Sequence, residues 1–140
     1  MASVSTYLNF RSESEAAFNF YAAVFGTEIM SIMRHGDVPG MEVADKDKNL
    51  VMNAAMTILG GHLLMTSDIP ESTGHDVVSG NNIQISLHPD SRAEADRLHA
   101  ALSEGGTPGQ EMQEMFWGDY YGDLVDKFGV HWLINTSSKE

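Results

Sequence analysis

The sequence predicts an α+β fold built from two tandem β-α-β-β-β modules whose open sheet faces form a shared cleft. Three observations predict it. A strand, a capped helix and a glycine stop occur in the same order twice, with Ser12-x-x-Glu15 and Gly26-Thr27 answered by Ser91-x-x-Glu94 and Gly106-Thr107. Gly60-Gly61 joins two strand-like segments, as a tight hairpin does. The last third is rich in aromatic residues cut at short intervals by Gly and Asp, which is how antiparallel strands with tight turns are spelled. The repeat is one of pattern rather than of residue identity.

The elements follow in order. Tyr7-Leu8-Asn9-Phe10 alternates as a short strand. The Ser12/Glu15 spacing predicts a capping box, and Ala17, Phe20, Tyr21 and Val24 then make one apolar helical stripe that Gly26 ends. Thr27 to Met33 is strand-like, and residues 35–50, with Gly36, Pro39, Gly40 and the Asp45-Lys46-Asp47-Lys48 run, form a loop. Val51 to Leu59 and His62 to Thr66 are the two arms of the hairpin. Module 1 covers residues 3–68 and module 2 residues 81–137, with 69–80 as the linker. Module 2 opens with strict alternation from Asn82 to His88, broken by Pro89. Ser91 with Glu94 is the second capping box, Ala95, Leu98, Ala101 and Leu102 the second stripe, and Gly105-Gly106 the stop. The aromatic segment from Met115 to Gly122, the turn at Asp126-Lys127-Phe128-Gly129 and a closing strand from Val130 to Asn135 complete the module.

Composition narrows the function. Eight basic residues against 20 acidic ones leave a net charge of −12, which repels phosphate backbones and anionic membranes, so neither nucleic acid nor membrane is an expected partner. The chain has no cysteine, which excludes disulfides, thiolate catalysis and cysteine-based metal centres. No stretch reads as a secretion signal or as a bilayer span, so a cytoplasmic location is expected.

At this point the residues resemble a known family. Tyr7-Leu8-Asn9-Phe10, then Glu15-Ala16-Ala17-Phe18-Asn19-Phe20-Tyr21 with Val24-Phe25-Gly26, then Phe116-Trp117-Gly118-Asp119-Tyr120-Tyr121-Gly122, and then Asp126 through Asn135 together resemble the PhnB-like group of the vicinal oxygen chelate superfamily. That superfamily holds glyoxalase I, bleomycin-resistance proteins, fosfomycin-resistance enzymes and extradiol dioxygenases. The resemblance covers nearly the whole chain and implies a single glyoxalase/bleomycin resistance-like domain and a homodimer; the sheet edges such a fold must cover point the same way. Some PhnB-like proteins carry a methyltransferase name. The glycines that such a name needs are not arranged for it here, because Gly105, Gly106 and Gly109 follow a helix rather than a strand.

The resemblance also implies a divalent metal, held by His or Glu from the first and last strand of each module. Carried over residue by residue, those positions fall near Ser5 or Thr6, near Met65, near Asn82 and near Leu133. None is His, Glu or Asp, and neither a thioether nor an alkyl group binds a hard cation. No catalytic metal and no cofactor are therefore expected. His88 and His131 alternate onto the cleft side, where they read first as strand-end histidines with hydrogen-bond partners and second as a displaced metal pair. His35, His62, His75 and His99 read as surface residues.

The expected cleft lining is Tyr7, Asn9, Met65, Asn82, Gln84, Trp117, His131 and Leu133, with Ser86, His88 and Asn135 on the same side. It mixes apolar and amide groups and holds no Lys or Arg, which suits a neutral organic molecule better than a phosphate. Amides orient ligands but shuttle protons poorly. Asp119 reads as a turn residue before it reads as a general base. Three functions compete. The first is a metal-free protein that binds an unidentified small organic molecule. The second is a glyoxalase-, lyase- or isomerase-like enzyme using no metal or a displaced one. The third is a domain used only for protein contacts.

Overall fold

The computed structural model describes all residues from Met1 to Glu140, in two compact units, Met1–Val78 and Ser79–Glu140. The first unit runs β1 (Thr6–Phe10), α1 (Ser14–Phe25), β2 (Ile29–Arg34), β3 (Val51–Ile58) and β4 (His62–Asp68). Its sheet has the order β1-β4-β3-β2, with β1 parallel to β4 and the other pairs antiparallel. Helix α1 covers one face. Ala17, Phe18 and Tyr21 are fully buried there, as are Met56 and Leu64 from the sheet, and each such large side chain contributes about 1.5–3 kcal/mol. The predicted stripe has Phe20 where the core has Phe18; Phe20 is only half-buried. Phe18 lies one turn before Tyr21 and so shares its face, whereas Phe20 is its sequence neighbour and points aside.

The predicted Ser12/Glu15 capping box does not form. The helix begins at Ser14 with no side-chain cap from its own turn. The buried carboxylate of Asp68, at the end of β4, accepts from the Ser14 N–H at 3.0 Å and from the Val51 N–H at 2.9 Å. A long-range anion thus occupies the positive end of the helix, and Glu15 is left to pair with Arg34 of β2 at 2.8 Å. The β3–β4 connection falls at the predicted glycines but is one residue longer than the expected two-residue turn, since β3 ends at Ile58 and Leu59 joins the turn. Gly60 and Gly61 have φ of 74° and 84°, a region that other residues rarely enter. Residues following β4 are fastened to this unit, since Ile69 N–H donates to Phe10 O at 2.7 Å and Ser72 Oγ to Asp47 Oδ2 at 2.9 Å.

The second unit runs β5 (Ile85–Leu87), α2 (Arg92–Ser103), β6 (Thr107–Pro108), β7 (Gln113–Glu114), β8 (Tyr120–Val125) and β9 (His131–Thr136). Its order is β5-β9-β8-β6, with β7 also on β8, and β5 is parallel to β9. This is the strand order of the first unit, with one edge strand split into β6 and β7. Strand β5 is shorter than the alternation from Asn82 predicts, because β9 pairs only with Ile85, Ser86 and Leu87. Ile83, outside that ladder, is 77% exposed.

Helix α2 starts at the predicted place, with Ser91 Oγ accepting from Glu94 N–H at 3.1 Å, but only this half of the predicted capping box forms, because the Glu94 carboxylate pairs with Arg97 instead. Its buried side is Ala95, Leu98 and Leu102 together with His99, which is a correction to the surface reading of that histidine. His99 Nε2 lies 3.1 Å from Gln110 O and 2.9 Å from Asp123 O, which makes it a donor that ties α2 to β8. The turn before β9 is organised by Asp126, which accepts from Phe128 N–H (2.8 Å), Val130 N–H (3.0 Å) and Trp132 Nε1–H (2.9 Å).

Candidate functional site

In both units the helix covers one sheet face, and alternation sends every second side chain to the other. In the first unit Tyr7 and Asn9 of β1 stand opposite Met65 and Ser67 of β4 in register, on the face away from α1. Tyr7 is 46% exposed. The row is joined laterally: Asn53 Nδ2 donates to Tyr7 Oη at 3.2 Å, and Ser67 Oγ donates to Asn9 Oδ1 at 3.1 Å. Sequence reasoning missed Asn53, although alternation along β3 puts it opposite Met33 on this face.

The uncertain register of the first strand resolves in favour of Ser5. Its hydroxyl points at Met65 Sδ at 4.0 Å, whereas Thr6 Oγ1 turns to His62 Nε2 at 2.9 Å on the helix side.

On the open face of the second unit, Leu133 stands between Ser86 of β5 and Asp123 of β8, Asn135 beside Tyr121, and His131 beside Val125. Asn135 Nδ2 donates to Asp119 Oδ2 at 3.0 Å, so Asp119 anchors a side chain as well as shaping the turn, where its carbonyl accepts from Met115 N–H at 2.8 Å. Tyr121 donates to Asp123 Oδ2 at 3.0 Å. Burial, with help from that carboxylate, pushes the Tyr121 phenol above its usual value of 10.0. Trp117 occupies the turn between β7 and β8, half-exposed, with its ring edge-on to Tyr121 at 6.3 Å. Gly118 allows the turn with a φ of 98°, and Lys139 Nζ holds its carbonyl at 2.6 Å. A polar cavity of about 420 Å³ opens beside these residues, lined by His88, Asp119, Asn135 and Ser138 among others. Asn82 and Gln84 precede β5 and are exposed, so they are not in this hydrogen-bonded row.

The donors do not fit the divalent metal that the resemblance implies. Met65 has a serine hydroxyl as its near neighbour, and Leu133 has Ser86 and Asp123 across the two ladders. No three His, Asp or Glu side chains stand together in a metal-holding group. The glycines after α2 serve packing. A side chain at Gly106 would meet the Val125 carbonyl, and one at Gly109 the Asp123 carboxylate. Neither belongs to a strand-to-helix turn that could cradle a nucleotide phosphate.

Comparison with known proteins gives a consistent picture. A family model described as 3-demethylubiquinone-9 3-methyltransferase matches residues 2–135. The chain is similar to the crystal structure of protein PA1353 from Pseudomonas aeruginosa, at 33% identity and a TM-score of 0.85, over 97% of this chain and 98% of that one. It is similar to the PhnB protein from Bacillus cereus at 26% identity and a TM-score of 0.77, over 96% and 99% of the two chains. A glyoxalase/bleomycin resistance protein/dioxygenase family enzyme from Burkholderia phytofirmans PsJN shares the fold, at 17% identity and a TM-score of 0.63, over 95% and 98%.

Proposed function

This chain belongs to the PhnB-like family of the vicinal oxygen chelate superfamily, and we propose that it binds a small organic molecule on its open sheet faces without the superfamily's usual catalytic metal. The observation that carries the reading is the chemistry at the metal positions: Ser5 against Met65 on one open face, and Leu133 beside Ser86 on the other. These groups offer an apolar wall with neutral hydrogen-bonding atoms. Tyr7, Asn9, Asn53 and Asn135 add a phenol and amides, and Trp117 adds an aromatic surface that is half-exposed. Asn82, Gln84 and His131 complete the proposed binding set. The ligand is neutral or weakly polar, because no Lys or Arg belongs to this set.

Calorimetric titration of metal-stripped protein with Mn²⁺, Ni²⁺ and Zn²⁺ tests the first half of the reading. No tight stoichiometric binding is expected, and a tight site mapped to the open faces overturns it. A thermal-shift screen of small neutral molecules tests the second half. Hits should weaken about 5- to 10-fold with Trp117→Ala, the loss of one aromatic contact. The methyltransferase description of the family is not part of the proposal. S-adenosylmethionine should give no binding heat, since the glycines it would need are closed by packing against Val125 and Asp123.

The protein is further proposed to act as a homodimer in the cytoplasm. No helix is long and apolar enough to cross a membrane. Light scattering behind size-exclusion chromatography at micromolar concentration should give twice the 15.3 kDa chain mass, and a monomer mass counts against it.

A further inference from the structure

The hydrogen bonds of His88 fix its tautomer, and with it the direction of the bond to Ser86. His88 Nδ1 is 3.2 Å from the Asn135 main-chain carbonyl, which can only accept, so in the neutral ring Nδ1 carries the proton. Nε2 is then a lone pair. It lies 2.9 Å from Ser86 Oγ, so the serine hydroxyl donates to it. Nucleophile, base and a third group that orients the base thus stand in line. We propose that Ser86 and His88 form a serine nucleophile and its general base, able to take an acyl group from a small uncharged ester. This activity goes beyond the ligand-binding reading.

The substrate class follows from the surroundings. Ser86 stands beside Leu133 in register and Leu133 beside Asp123, so the wall next to the hydroxyl is apolar and an anionic acyl group is repelled. In the reaction, Ser86 Oγ bonds the acyl carbon while its proton passes to His88 Nε2. The bond from that carbon to the leaving oxygen breaks, and the leaving alkoxide takes the proton from His88. Ser86 is exposed, so water then attacks the acyl-serine. Water gives one proton to His88, the carboxylic acid departs, and Ser86 recovers the proton.

The absence of cysteine gives a test that needs no natural substrate. Ser86→Cys places a single thiol beside His88. Its alkylation by iodoacetamide should be about 5-fold faster at pH 7 than that of the Ser86→Cys/His88→Ala double variant, and its pH midpoint should lie below the ordinary thiol value of about 8.5. His88→Gln replaces His88→Ala if circular dichroism shows that alanine disturbs the strand end. In parallel, the unmodified protein treated with p-nitrophenyl acetate should carry acetyl on Ser86 by peptide mass spectrometry, and Ser86→Ala should carry none on that peptide. An ordinary thiol midpoint that is indifferent to His88, or no acetylation of Ser86, overturns the proposal. Neither failure touches the thermal-shift screen, so the ligand-binding reading is judged separately.

Discussion

Asp126 concentrates more organisation than any apolar residue of the closing turn. It is buried, and its two oxygens collect two main-chain N–H groups and the Trp132 indole. Asp126→Ala would strand three donors, each worth about 1–3 kcal/mol if left unpaired, partly relieved by water. Urea unfolding should show a loss of about 3–4 kcal/mol, at the upper end for single substitutions. The Asp-Lys-Phe-Gly spelling announces the turn but not the triple bond, because the third donor is a side chain six residues on that faces inward only once β9 is formed. Tyr121 makes a second residue-scale prediction. Its folded value is raised by burial, then by Asp123, so the unfolded chain ionises first. Its contribution to stability is complete below the usual value of 10.0 and is lost as pH rises above it toward the folded value. A tyrosinate absorbance titration should show a late component that Tyr121→Phe reduces and does not abolish, because Tyr120, whose hydroxyl donates to Asp96, is raised as well.

At the scale of elements, the two helix starts separate what local sequence can specify from what it cannot. Ser91 and Glu94 are three residues apart and find each other, and Ser91→Ala should cost about 1 kcal/mol in urea unfolding. Ser12 and Glu15 have the same spacing, but the acceptor at that helix start is Asp68, 54 residues from Ser14. A carboxylate already desolvated by β4 outcompetes a local hydroxyl for the helix N–H groups, and no window of sequence around Ser12 contains it. Asp68→Ala should therefore destabilise by about 2–3 kcal/mol, since the Ser14 and Val51 N–H groups both lose their acceptor. The displaced Glu15 clamps α1 to β2 instead, and its hydrogen bond with Arg34 lowers its carboxyl below the usual 4.5. That contribution is present above pH 4.5 and is lost as pH falls through the folded value. Both partners are partly exposed, so Glu15→Gln should cost less than about 1 kcal/mol at pH 7, with the difference shrinking in urea melts at pH 3. The open-face row was legible by the same logic. Alternation placed Tyr7, Asn9, Met65, Leu133 and Asn135 on the open faces of their sheets. Strand β5 itself is shorter than its alternation: Asn82 and Gln84 precede it, where the alternating pattern continues past the end of the partner strand.

At the scale of the molecule, the repeated order of capped helix and strands predicted two sheets of one topology, and both have it. The split of one edge strand into β6 and β7 has a local signal in Pro108-Gly109, a turn-forming pair that ends β6, and Asp123 of β8 then fixes the path by accepting from the Gly109 and Gln110 N–H groups. The charge of −12 belongs to this scale too. Unscreened carboxylates repel one another more in the compact state, so added sodium chloride should raise the thermal midpoint, by about 2–4 °C for roughly 1 kcal/mol of relieved repulsion. A scan in low and high salt checks it. The two tryptophans set how such scans must be read. Trp132 is fully buried and Trp117 half-exposed, and both lie after Ser79, while the first unit contains none. Tryptophan emission therefore watches one half of the chain. Its blue component follows the melting of that half's interior, and its red, quencher-accessible component follows the turn at Trp117. The half that carries Tyr7 and Met65 is optically silent in this channel, and backbone circular dichroism recorded beside it tells whether the halves come apart together or in turn.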